Sequence, residues 1–185
     1  MNATENLKQE HSIVRRLGTV AQQCSNKLYS NISIPIEDIE ILSVVIQEFV
    51  DGFHHAKEEK AYFPHTRDKN SFSEDIRKFL IEHELGRRIA NMLSRSIMEW
   101  RCGVNAREPV ARYLKAYSVF ITDHTRKEDK FFDLVEDKGS LSEKEHMILS
   151  EHYKRCQTDV GGKVRMQQLI NMLEFLENRE WSMDE

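Results

Sequence analysis

Two stretches decide the fold: residues 53–64, FHHAKEEKAYFP, and residues 124–133, HTRKEDKFFD. In the first, His54 precedes Glu58 by four residues; in the second, His124 precedes Glu128 by the same spacing. On a helix turning about 100° per residue, a spacing of four leaves an offset of only about 40°, so each pair shares one face, one turn apart. Each pair can therefore offer an imidazole and a carboxylate to one point.

That point reads as a helical interior. His54 lies four after Val50 beside Phe53, and His124 lies four after Phe120 and seven after Tyr117, so both continue apolar stripes. Working outward, His11 falls between Leu7 and Val14, and His83 follows Phe79 and Leu80 within IEHELGRR. Singly, each histidine reads as a hydrogen-bonded core residue, and runs such as AKEEK and RKEDK read as solvated helix faces. Four helices repeating the coincidence point instead to a metal, because buried carboxylates need a counter-ion. Imidazole and carboxylate without thiolate suit iron, manganese or zinc.

The periodicity predicts four long helices, over about Thr4–Leu28, Ile36–Phe63, Ser73–Cys102 and from an Asn105 cap to Gly139, with Pro64 stopping the second. Ser142-x-x-Glu145 has capping-box form and opens a fifth helix, and Gly161-Gly162 separates a short sixth carrying Val164, Leu169, Leu173 and Leu176. Expected, then, is an all-α fold: one domain over 1–185, an up-down-up-down four-helix bundle over about 4–136, and two short C-terminal helices, about 142–178, packed on it. Met92, Met98, Met166 and Met172 read as core filler.

Composition narrows the function classes. A net charge of −4, with 27 Lys+Arg against 31 Asp+Glu, gives no basic excess for nucleic acid. No apolar run approaches the roughly 20 residues of a membrane span, so neither a membrane partner nor a signal peptide is expected. Three dispersed cysteines make a disulfide scaffold or thiolate zinc site implausible and suit a reducing cytoplasm.

Together EHSIVRRL, HHAKEEKAYFP, EHELGR and HTRKEDKFF resemble the hemerythrin-like, His-His-Glu cation-binding domains over about residues 5–136. The resemblance implies a non-haem di-iron centre, with His11, His54, His83 and His124 as terminal ligands and Glu58 and Glu128 as bridges; zinc or manganese could substitute for the two irons. Two registers stay open. His55 and Glu59 repeat the spacing of His54 and Glu58, although Phe63-Pro64 favours the earlier pair, which leaves His55 and Glu59 behind the ligands or facing solvent. Asp129, five after His124, has the carboxylate spacing of oxygen-carrying hemerythrins, whereas Glu128 fits the bacterial form.

One position departs from the oxygen carriers. Where they have a further histidine, four after the ligand of the third helix, this chain has Arg87, which cannot ligate. Four histidines and two carboxylates leave both irons open, which predicts rapid oxidation by O2 in place of reversible uptake, with NO still binding. Tyr117 and His152 are candidates to fill the gap, Arg87 itself is a candidate cation beside Glu58 or Glu128, and His65 and His146 receive no role. Three functions fit: binding or sensing O2 or NO; iron storage, delivery or iron-sulfur repair; and a di-iron redox enzyme acting on peroxide or NO. Enzymatic action has the least support, since no nucleophile, proton relay or flavin motif accompanies the site, and the repair reading lacks the N-terminal cysteine segment of such relatives.

Overall fold

The computed structural model describes residues 2–183, so the outer limits of the expected 1–185 domain lie outside the described residues. Among these residues the chain is helical throughout, without strands. Helix α1, Ala3–Tyr29, begins at a capping box in which Asn2 and Glu5 satisfy each other's backbone N–H groups. Its buried side, from Leu7 through His11, Val14, Leu17 and Ala21 to Leu28, recurs every three or four residues.

The next helical run is unbroken from Ile36 to Thr66 but changes its winding. It is α-helical over α2, Ile36–Val45, π-helical over π1, Ile46–His55, and π-helical again over π2, Glu58–Tyr62, before ending as α3, Phe63–Thr66. Pro64 does not stop it. The proline directly follows the π turn; it has no N–H to continue the ladder, and the run ends two residues later, at Thr66. Helices α4, Ser73–Arg101, and α5, Arg107–Asp137, follow. The cap of α5 is Ala106, without a side-chain bond, in place of Asn105. Helix α6, Glu143–Asp159, opens at the Ser142–Glu145 capping box, and α7, Gly162–Glu177, starts at the second of two glycines held at positive φ.

Neighbouring long runs are antiparallel. Lys8 meets Asp133, Arg15 meets Asp129, and Ser25 donates to the Ala111 carbonyl, so α1 and α5 run in opposite senses. Gly86 of α4 lies so close to Phe120 of α5 that a Cβ there would sit 2.6 Å from the ring. The α6–α7 pair covers the outer side of the Ile36–Thr66 run, with Arg165 on Glu48 and with Arg179 and Trp181 both donating to Asp38. Covered on both sides, that run buries six consecutive residues, Phe53 to Glu58.

The core falls into two apolar clusters. One contains Val14, Leu17, Phe53 and Ile121; the other contains Leu7, Tyr62, Phe79 and Phe132. Of the expected core methionines, Met166 is buried, but Met92 and Met98 are exposed, as are Leu80, Leu134 and Val164, because the stripes on α4, α5 and α7 are narrower than the apolar spacing implies. Among the described residues, no helix is long and apolar enough to cross a membrane.

Candidate metal centre

Between the two clusters lies a layer of buried ionisable side chains. His11 of α1, His54 of π1, Glu58 of π2 and Glu128 of α5 offer ligand atoms within 4.8 Å of one another, and so do His55 of π1, His83 of α4 and His124 of α5. The structure thus brings together all six residues singled out from the sequence and adds a seventh, His55. Each group could hold a metal ion.

The two carboxylates lie between the groups. Glu58 turns Oε1 toward His54 (3.4 Å) and His11 (3.7 Å) and Oε2 toward His83 (3.4 Å). Glu128 turns Oε2 toward His124 (3.2 Å) and His11 (3.3 Å) and Oε1 toward His83 (3.2 Å). Among the described residues, His11 Nε2, His54 Nε2, both His55 nitrogens, His124 Nε2, both Glu58 oxygens and Glu128 Oε2 are buried without a hydrogen-bond partner. Buried polar atoms left unpaired are expensive, and a cluster of them facing one another is what a cation would satisfy.

His55 comes inward because of the winding. In an α-helix adjacent residues point about 100° apart, and the sequence accordingly leaves His55 behind the ligands or facing solvent. The wider π turn alters that direction, and π segments frequently mark functional sites. His55 is buried and lies parallel to the His83 ring, with centroids 3.9 Å apart. Glu59 is half-buried, and Asp129 faces away from the two carboxylates' meeting point, toward His11 Nδ1. Tyr117 belongs to the larger apolar cluster, and His152 faces His65, so neither joins the groups.

Behind the histidines runs a closed ring of carboxylates. Glu10 of α1 meets His54 Nδ1 (3.1 Å), Glu59 of π2 meets His83 Nδ1 (2.8 Å), Glu82 of α4 meets His124 Nδ1 (2.8 Å) and Asp129 of α5 meets His11 Nδ1 (2.7 Å). Each carboxylate adjoins, in sequence, a candidate ligand of its own helix and reaches across to the histidine of the next. A cation one turn after each histidine grips the same carboxylate: Lys57 holds Glu10, Arg87 holds Glu59 (2.6 Å), Lys127 holds Glu82 (2.7 Å) and Arg15 holds Asp129 (2.7 Å). Arg87 therefore contacts neither Glu58 nor Glu128, and Lys57 is buried, unlike the solvated lysine its run suggested. Carboxylates behind imidazoles fix the tautomer and raise ligand basicity, leaving Nε2 for a metal.

Electrostatics agree with a cation site. Burial pushes the Glu58 carboxyl up, and the neighbouring Glu128 carboxylate pushes it further. Against burial, His124, His11 and His83 hold Glu128 well below the usual carboxylate range. Burial and the charge on His83 push His55 down to about 3, so it is a free base at neutral pH. Against burial, Glu128 and Glu59 raise His83 to about 10, and Asp129, Glu128 and Glu58 raise His11 well above its ordinary value.

A pH dependence follows. Without metal, the carboxylates around His83, His11 and His124 favour their protonated forms, and a ligating imidazole must be neutral, so cation uptake must expel protons. Affinity is expected to weaken as pH falls, by up to about tenfold per proton per unit. Calorimetric titration in buffers of different ionisation enthalpy should show net proton release at pH 7. Buffer-independent heats would mean that these imidazoles do not ligate.

Fold and site together define an all-helical protein with a buried histidine–carboxylate centre able to take cations. The sequence matches the hemerythrin HHE cation binding domain over residues 2–135, more than half of the chain, and the chain belongs to that family. Neither the curated proteins nor the solved structures compared with it gave a match.

Proposed function

We propose that this protein holds two iron ions and binds or senses a small diatomic, O2 or NO. The antiparallel registers support reading the four long runs as an up-down-up-down bundle around the centre. The observation that carries the proposal is the unequal division of donors. His55, His83 and His124 would serve one ion and His11 and His54 the other, with Glu58 and Glu128 bridging. Five protein donors would then face the first ion and four the second, so the second would keep more room for an added ligand. The irons, when bound, supply redox-active positions at which a diatomic can attach.

Counting His55 reverses the expectation drawn from Arg87, because the fifth imidazole comes from the second helical run instead of the third long helix. The smaller donor set at the His11/His54 end would favour reversible O2 uptake there over immediate oxidation of both ions. A surface pocket lined by Glu10, Phe53, Lys57 and Tyr153 reaches the groups directly behind His54, at that same end.

Metal analysis of protein expressed with ample iron should find about two ions per chain, as the two donor groups require. Anaerobically reduced protein should take up O2 and release it under vacuum, and should also bind NO, followed by absorption spectroscopy. Absence of metal would end the proposal; immediate irreversible oxidation would exclude the reversible carrier or sensor.

A further inference from the structure

We propose that Arg87 is a positioning residue for the three-histidine end of the centre, fixing His55 and His83 together through the two carboxylates its guanidinium grips. The inference rests on the two-metal reading above. Arg15 and Lys57 each hold one carboxylate of the centre, and Lys127 holds Glu82 together with the exposed Asp123 of its own helix, so each serves a single histidine. Arg87 holds two: Nε donates to Asp51 Oδ1 (2.7 Å) and one terminal nitrogen to Glu59 Oε1 (2.6 Å).

Those two carboxylates flank His55 along its own helical run, four residues before and four after it. Glu59 anchors His83 directly. Asp51 lies 3.6 Å from His55 Nδ1, outside hydrogen-bond distance, so His55 is the one imidazole of the five with neither nitrogen bonded. Its orientation depends on its stacking against His83 and on the nearby Asp51 carboxylate, and Arg87 governs both. A planar guanidinium can span two carboxylates from fixed directions, whereas an ammonium is a point charge on a flexible stem. At this position geometry, and not charge alone, is the requirement.

Arg87→Lys keeps the charge and removes the fork, which separates the two effects. Metal-free protein would be titrated anaerobically with Co(II), a spectroscopic stand-in for iron(II). Wild type should take up two ions; R87K should take up the first with wild-type affinity and the second about tenfold or more weakly, with an altered d–d spectrum for that ion alone. Arg95→Lys is the control: that guanidinium pairs with Glu99 on the exposed face of α4, away from the histidines, so both ions should bind as in wild type. Identical titrations and spectra for R87K and wild type would overturn the proposal while leaving the two-metal reading intact. Fewer than two ions in wild type would overturn that reading and the proposal with it. Should R87K fail to fold, Asp51→Asn and Glu59→Gln each remove one arm; each is expected to weaken the second ion, and wild-type titrations for both would refute the role.

Discussion

His55→Leu is expected to turn reversible O2 uptake into irreversible oxidation and to weaken one of the two metal ions by at least about 10–100-fold, the range seen for groups that merely support a ligand. Leucine matches the histidine in bulk and keeps the His83 ring packed, so the helical run should persist. Without the imidazole both ions would have four protein donors, the set for which the sequence predicts rapid oxidation. Metal titration and stopped-flow spectra of the reduced variant check this. Unchanged stoichiometry, affinity and O2 release would show that His55 is a buried histidine and not a ligand.

Removing the metal is expected to lower the melting temperature by roughly 15–30 °C. A ligand present at a thousand times its Kd stabilises the folded state by about 4 kcal/mol, so two sites contribute about 8 kcal/mol. For a chain of this size each kcal/mol moves the midpoint by about 2–4 °C. Protonated His11 and His83 partly take the place of the cations between Glu58 and Glu128, so the metal-free protein should remain folded at neutral pH. Calorimetry of chelated and reloaded protein measures the difference. Equal midpoints would place the ions outside the core.

The helix count, most helix ends and the six residues at the centre were legible because apolar spacing and the His-x-x-x-Glu repeat are local properties. His55 was not. Reading position 55 on a 3.6-residue turn directs it away from His54, and nothing in residues 46–62 announces that the turn widens there. Arg87 bears on the same point: its place one turn after His83 is where an oxygen carrier puts a ligand, and the imidazole proposed to take that part, His55, stands in another helix. The outer ring was written in the chain, as His11/Arg15, His54/Lys57, His83/Arg87 and His124/Lys127, each histidine followed by a cation three or four residues on. Its meaning depends on which helix lies beside which, and a lysine on a helical face reads as solvated until a carboxylate from a neighbour is seen to meet it.

The ring of carboxylates also governs which alignments the helices can adopt. Each long helix both lends a carboxylate to its neighbour and receives one, so sliding any one of them by a turn would break two grips at once and leave a buried imidazole and a carboxylate unmatched. Apolar stripes alone tolerate such slippage, because one leucine substitutes for another a turn away. Here a misaligned chain could collapse but could not close the circle, so the polar layer selects one alignment out of the several that hydrophobic packing would accept.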